Sequence, residues 1–175
     1  MNYIFLLLLS FNIYADNIVS IDVTNESNSV SITQTGTQEY ESLFISGTAN
    51  VVSIAQIQVS GQSTQDTFLN GNSNSYTTAQ SGYGQTMFNS ITGDNNTVNS
   101  TQSGTGGHYL SSSLSGTGNS LTTTQTGATA NNATISLTNS GGAASLNLVQ
   151  SGGQSVSITS ICVTNGGCSI IQVRQ

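Results

Sequence analysis

Apolar and polar residues alternate along most of the chain in short runs with the period of a β-strand. Over residues 28–34, asparagine, valine, isoleucine and glutamine occupy one face of such a run, and serine and threonine occupy the other. A second, weaker run precedes it in most copies and places apolar residues such as Leu43 and Ile45 on its inner face. Glycine and asparagine separate the runs. The pattern predicts strands joined by turns, and no helical periodicity is visible after residue 15.

The strands recur at a regular interval, which a column of glutamines marks. Successive members of this column are 22 to 25 residues apart: Gln34, Gln56, Gln80, Gln102, Gln125 and Gln150. An asparagine six residues earlier recurs in most copies: Asn28, Asn50, Asn74, Asn96 and Asn119. A period of about 23 residues is typical of stacked-repeat proteins.

Each repeat reads strand, turn, strand, turn, and it is too small to bury a face alone. Copies stacked about 4.8 Å apart would pair every backbone group with the repeats on either side. We therefore predict an all-β fold, a β-solenoid of about six and a half repeats that stacks further into a cross-β, amyloid-type fibre. The glutamine and asparagine columns are expected to form interior amide ladders, because an unpaired buried amide costs roughly 1–3 kcal/mol.

The two ends of the array have the pattern of unfinished repeats. Residues 17–27 have the alternation of the weaker strand without the glutamine strand before it, and residues 169–175 resemble a last glutamine-type strand without a partner. The ends are therefore the predicted polymerisation sites, and the predicted contact residues are Ile21, Val23, Ile170 and Gln172. Arg174 is expected near Asp22 and Glu26 of the neighbouring molecule.

The first 15 residues have the pattern of a secretory signal peptide. Their apolar run extends from Tyr3 to Leu9, and Ala15 precedes Asp16 at the expected cleavage point. A transmembrane anchor is the alternative, but the run is shorter than the roughly 20 residues that a span needs. We predict cleavage after Ala15, which leaves residues 16–175 as one repeat domain without stable membrane insertion.

The charge of the chain argues against nucleic acid as a partner. The formal net charge is −6, and a single Arg or Lys is present. Neutralising phosphates requires basic side chains that the sequence lacks. Serine, threonine, asparagine, glutamine and glycine dominate the composition, which is typical of disorder, but the regular repeat argues for an ordered structure.

Few residues suggest a chemical site. His108 lies in a glycine-rich loop and is expected to be exposed, and Glu39 and Glu41 are expected to be solvated in the variable turn. We predict no catalytic residues, no metal site, no cofactor and no enzymatic activity. Cys162 and Cys168 bracket the last turn, and a disulfide is expected in an exported chain, although reduced thiols remain an alternative. Strict alternation places Cys162 outside and Cys168 in the asparagine column.

The repeat residues resemble those of curlin, the subunit of bacterial curli fibres. The resemblance covers residues 17–175 and is carried by Gln34, Gly36, Asn50, Gln56, Asn74, Gln80, Gly82, Asn96, Gln102, Gly104, Asn119, Gln125 and Gly127. Curlin repeats have the form Ser-x5-Gln-x4-Asn-x5-Gln. Here asparagine replaces the serine, and apolar residues such as Ile91 and Leu114 replace the second glutamine.

The resemblance implies a secreted protein that polymerises head to tail into a biofilm-matrix fibre on the bacterial surface. It also implies two partners besides other copies of the chain, a nucleating subunit and an outer-membrane secretion machinery. Three alternatives stay open: a minor nucleator of such a fibre, a monomeric ice-binding or adhesive solenoid, and a carbohydrate-processing β-helix enzyme. A row of outward threonines at 122, 124 and 126 suggests ice binding, but neighbouring repeats do not continue it.

Overall fold

The computed structural model describes residues 6–13, 17–58, 61–140, 142–162 and 168–174, and for residues 6–13 it describes the backbone alone. The regular structure of these residues is β-strand throughout, without a helix. The strands alternate between two parallel sheets, which we call the odd sheet and the even sheet after the strands that form them.

Eight strands form the odd sheet: β1 (Leu6–Ile13), β3 (Ser29–Gly36), β5 (Val51–Gln58), β7 (Ser75–Gly82), β9 (Thr97–Gly104), β11 (Ser120–Thr126), β13 (Ala144–Ser151) and β15 (Cys168–Arg174). Seven strands form the even sheet: β2 (Ile18–Thr24), β4 (Glu39–Ser46), β6 (Ser63–Asn70), β8 (Thr86–Thr92), β10 (Tyr109–Ser115), β12 (Asn132–Asn139) and β14 (Ser155–Cys162).

Each strand pairs in parallel with the strand two further along the chain, and equivalent residues of successive repeats are in register. Gln34 is paired with Gln56, Gln56 with Gln80, and Gln80 with Gln102. The chain therefore coils as a solenoid in which each repeat lies on the one before it. The predicted all-β solenoid with a repeat of about 23 residues is confirmed.

The core lies between the two sheets and is formed by the inward residues of each strand. In the even sheet Ile45, Leu69 and Ile91 are in register, and none is more than 1% exposed. In the odd sheet Val30 and Ile32 are equally buried. Burying each such aliphatic side chain contributes about 1.5–3 kcal/mol, so apolar columns supply much of the stability of the stack.

The turns that follow β4, β6, β8 and β10 require glycine, at Gly47, Gly71, Gly93 and Gly116. Gly71 has a φ of 143°, and a Cβ atom there would lie 2.0 Å from the carbonyl oxygen of Gly93 in the next repeat. Neither the backbone conformation nor the space admits a side chain. The glycines allow successive turns to stack as closely as the strands do.

The terminal strands belong to the sheets that their patterns predict. β2 lies at one end of the even sheet, and β15 lies at the opposite end of the odd sheet. β1 pairs with β3 in parallel, with Phe11 in register with Gln34. This strand lies inside the predicted signal peptide, and cleavage after Ala15 stays a prediction.

Candidate functional site

The six predicted glutamines form one continuous ladder inside the solenoid. Each Nε2 donates to the Oε1 of the next glutamine, at distances from 2.8 to 3.0 Å: Gln34 to Gln56, Gln56 to Gln80, Gln80 to Gln102, Gln102 to Gln125, and Gln125 to Gln150. The same amide nitrogen also reaches a backbone carbonyl of the even sheet, as from Gln80 to Thr64 at 3.2 Å. The ladder thus links successive repeats and joins the two sheets.

The predicted asparagines form a second ladder at the start of the odd strands. The Oδ1 of each accepts from the backbone nitrogen of the next, as from Asn74 to Asn50 at 3.0 Å and from Asn96 to Asn74 at 2.9 Å. The Nδ2 of Asn74 donates to the carbonyl of Gly93 at 2.8 Å. Asparagine therefore holds the glycine turn of the following repeat, which explains its constant distance from the glutamine.

A third polar ladder, which the sequence pattern did not predict, runs along the turns that lead from each odd strand to the next even strand. The backbone nitrogen of His108 donates to Gln85 Oε1 at 3.1 Å, and that of Asn131 donates to His108 Nδ1 at 3.1 Å. Asn17 begins the same column, because its Oδ1 accepts from the backbone nitrogen of Glu39 at 3.1 Å. Its signal in the sequence is a polar residue just before or at the start of an even strand, spaced like the glutamines.

The prediction that His108 is an exposed loop residue is therefore wrong. Its side chain is fully buried, and Nε2 lies 2.9 Å from the carbonyl oxygen of Ser103. These partners assign the proton to Nε2 and leave Nδ1 as an acceptor. Burial lowers the pKa of His108, and backbone contacts with Ser103 and Gly127 oppose this effect. The histidine acts as an amide substitute within the ladder.

The prediction that Glu39 and Glu41 are solvated is also wrong, because both carboxyls are buried. They begin β4, where alternation turns them inward on either side of Tyr40. Burial raises the pKa of Glu39 to about 7, although backbone hydrogen bonds with Gln58 and Thr35 lower it. One carboxyl oxygen of Glu39, Oε1, has no hydrogen-bond partner.

Glu41 is a core carboxyl whose burial is not compensated by any hydrogen bond. It is fully buried, and neither carboxyl oxygen has a hydrogen-bond partner. Burial, followed by the negative charge of Asp66, raises the pKa of Glu41 well above its ordinary value. In the next repeat Gln65 is in register with it and donates to Tyr76 Oη at 3.1 Å. The carboxyl therefore borders a polar cluster without joining it.

A disulfide joins Cys162 to Cys168 across the last turn. Cys168 follows Ala144 in the asparagine column, as alternation indicates. Cys162 is buried and in register with Asn139, so its predicted outward position is wrong. The alternation along β14 is unbroken, and its inward positions are Val156, Ile158, Ser160 and Cys162. Cys162 therefore turns inward toward its partner.

The outer face of the even sheet carries an aromatic patch. Phe44 and Phe68 stack with their ring centroids 5.0 Å apart, and Phe88 lies 5.9 Å from Tyr109. Asp66 lies beside these rings on the same face. The patch is lateral to the stacking direction, so end-to-end stacking would leave it accessible.

The described residues do not gather into a metal centre, since no three acidic, histidine or cysteine side chains come together there. No helix in the described part of the chain has the length and apolar character needed to cross a membrane. Comparisons of the chain with protein-family models, with curated proteins and with solved structures found no match. The features of the described residues that bear on function are the ladders and their ends.

The hydrogen bonds of the glutamine ladder all point from one repeat to the following repeat, and the first glutamine, Gln34, lacks a donor for its side-chain oxygen. Gln34 Oε1 is buried and has no hydrogen-bond partner, because the donor that every later member receives comes from the preceding repeat. At the other end Gln150 Nε2 donates to the carbonyls of Asn132 and Gln154, at 3.3 and 3.2 Å. The glutamine ladder is thus closed at its last amide and open at its first.

Proposed function

We propose that the chain is a structural, non-catalytic subunit of an extracellular fibre in which solenoids stack head to tail. The curlin-like repeat residues support the same role. They add a location on the bacterial cell surface, and partners for nucleation and for export through the outer membrane. Other copies of the chain are the principal partner.

The observation that carries this proposal is the half-covered core at the ends of the sheets. Val19, Ile21 and Val23 point inward on β2 and are only partly buried, whereas interior members of the same columns are fully buried. Cys168 and Ile170 on β15 also pack against the core and are only partly buried. No capping element covers these strands among the described residues. Another copy is the surface that would complete them.

The order of the strands allows each sheet of one copy to continue directly into the same sheet of the next copy. The chain runs from β2 in the even sheet to β15 in the odd sheet. A following copy can therefore pair its β2 with β14 and its β3 with β15, and both sheets continue in the same direction. Val156 and Ile158 of β14 would then pack beside Val19 and Ile21. Such a contact is head to tail and does not close, so it gives a filament.

β1 occupies the edge of β3 that this stacking uses. Removal of residues 1–15 with the predicted signal peptide would expose that edge. The exposed β3 would then present unpaired backbone groups, which a strand from another copy can satisfy by β-augmentation. Export and competence to assemble would thus be linked.

X-ray fibre diffraction combined with electron microscopy tests the proposal. The full chain is expressed in a host that exports it, and the purified protein is incubated until assembly stops. We expect unbranched fibres and a meridional reflection near 4.8 Å, since the strands lie perpendicular to the stacking axis. A protein that stays monomeric at high concentration, with activity against ice growth or a glycan, would support one of the alternatives instead.

A further inference from the structure

The buried acids of the described chain are confined to one strand near one end of the solenoid. Glu39 and Glu41 are buried, whereas the other described acidic side chains are exposed or half-buried. Both residues belong to β4, and β2 alone separates β4 from the end of the even sheet. The first repeat, by which we mean β2, β3 and β4, therefore differs from all later repeats in its interior.

The surroundings of these two carboxyls favour their neutral form. Glu41 lies between its register partners Val19 and Gln65, and neither of its oxygens has a hydrogen-bond partner. Glu39 has one side-chain donor, because Asn17 Nδ2 lies 3.3 Å from its Oε2. A carboxylate buried in such surroundings costs far more free energy than the neutral acid does.

The strands packed against β4 do not supply a compensating positive charge among the described residues. Their ionisable residues are Asp22 on β2, Asp66 on β6 and Tyr76 on β7. The sequences of β1, β3 and β5 contain no ionisable residue. Ionisation of Glu39 or Glu41 therefore adds negative charge to surroundings that are neutral or already negative.

The position of β4 makes the consequence local. Each repeat of a solenoid contacts only its neighbours, so the stability of one repeat can change while the others stay folded. The first repeat is also the less covered one, because Val19, Ile21 and Val23 of β2 are only partly buried. Charging the carboxyls should therefore detach β2 and β4 before it affects the middle of the solenoid.

We propose that protonation of Glu39 and Glu41 closes the first repeat and thereby controls whether this end of the solenoid accepts another copy. This inference rests on the proposed head-to-tail fibre, in which β2 and β3 form the accepting end. In weak acid both carboxyls are neutral and the end is a complete template for the next copy. At higher pH the carboxylates open β2 and β4, and elongation slows.

The direction of this control follows from the pKa of each group. Burial raises the pKa of Glu39 from 4.5 to about 7, and burial followed by the charge of Asp66 raises the pKa of Glu41 well above 4.5. Such groups stabilise the folded repeat fully below their ordinary pKa, and this contribution decreases as the pH rises through the folded-state pKa. Closure should therefore weaken from pH 4.5 to about 7 through Glu39, and to higher pH through Glu41.

Seeded elongation at pH 5 and pH 8 tests the proposal. The full chain is expressed for export, and its elongation on fragmented wild-type fibres is followed by light scattering. We expect wild type to elongate about tenfold more slowly at pH 8, since one unit of raised pKa corresponds to a factor of ten. The double variant Glu39→Gln with Glu41→Gln should elongate at similar rates at both pH values. Glu26→Gln, in an exposed turn, is the matched control and should keep the wild-type pH dependence.

Hydrogen–deuterium exchange of the unassembled protein locates the opening. After correction for the pH dependence of the chemical exchange rate, peptides from β2 and β4 should be less protected at pH 8 than at pH 5. Peptides from β10 and β12 are the internal control. Burial lowers the pKa of His108, and its Nδ1 accepts from the backbone nitrogen of Asn131, so these peptides should not lose protection at pH 8. If the double variant fails to fold by circular dichroism, Glu41→Gln alone should show a smaller loss in β2 and β4 than wild type.

The outcomes separate this inference from the proposed function. Wild-type protein that forms no fibres at either pH contradicts both. Fibres whose elongation depends on pH equally in wild type and in the glutamine variants leave the fibre standing and overturn the control by Glu39 and Glu41. An equal loss of protection in β2, β4, β10 and β12 at pH 8 would also overturn it, because the opening would then involve the whole solenoid.

Discussion

Replacing Glu41 by glutamine should stabilise the solenoid at neutral and alkaline pH. The carboxyl is fully buried with both oxygens unpartnered, so the folded state strongly favours its protonated form. A glutamine there is neutral at every pH, and its amide can stack on Gln65, the register partner in the next repeat.

The sign of the effect follows from the raised pKa. Between the ordinary pKa of a glutamate and the higher pKa in the folded state, the folded chain binds more protons than the unfolded chain. The free energy of unfolding is therefore greatest below about pH 4.5 and decreases as the pH rises through the folded-state pKa. Glu39 contributes the same trend, which ends above a pKa of about 7.

The size of the effect is about 1.4 kcal/mol for each unit by which the pKa of Glu41 is raised. We therefore expect Glu41→Gln to be more stable than wild type at pH 8 and to gain much less at pH 4. Urea unfolding of the unassembled protein, followed by circular dichroism at both pH values, measures the difference. Glu26→Gln, in an exposed turn, is the matched control. Equal stability of wild type at pH 4 and pH 8, or equal gains from both variants, would refute the reasoning.

Three further predictions address the ladders, the turns and the outer face. Gln102→Ala should cost about 2–4 kcal/mol in urea unfolding, because it removes one of the two acceptors of Gln80 Nε2 and the ladder donor of Gln125 Oε1; an equal loss from Ser103→Ala would show that the ladder is not the cause. Gly71→Ala should prevent the turn from stacking and lower the melting temperature sharply, and a variant that melts like wild type would contradict the close approach to the next repeat. Phe68→Ser removes an exposed ring from the aromatic patch, so electron microscopy should show normal elongation with less side-by-side bundling of fibres.

The sequence was sufficient for the repeat and for the two amide ladders, because both depend on spacing. A glutamine that returns at nearly constant distance from an asparagine has to be stacked on its equivalents, and the alternation fixes which face is inside. The terminal strands were also assigned to the right sheets. Their patterns continue the columns even where Arg174 replaces the glutamine.

The burial of individual charged and ionisable residues could not be predicted in the same way. Glu39, Glu41 and His108 have residue types that usually lie in water, and their inward position follows from a strand that begins earlier than the apolar residues show. The third ladder changes residue type from copy to copy, from asparagine to glutamate, glutamine and histidine, which hides it from a search for one repeated residue. The inward position of Cys162 likewise follows from the start of β14 at Ser155, since the alternation is unbroken from there to Cys162.

Disulfide trapping across the junction tests the central claim, that copies continue one another's solenoid, most directly. In the proposed register Ser169 of one copy lies beside Ser29 of the next, as Ser145 lies beside Ser169 within a chain. Adjacent strands about 4.8 Å apart bring their Cα atoms within the range of a disulfide. Fibres grown from a chain that carries both Ser29→Cys and Ser169→Cys are oxidised, and mass spectrometry identifies the linked peptides. The account predicts a Ser29→Cys to Ser169→Cys link in most junctions and little link between Ser29→Cys and Val173→Cys, which is out of register. Fibres that form without the first link would contradict end-to-end stacking.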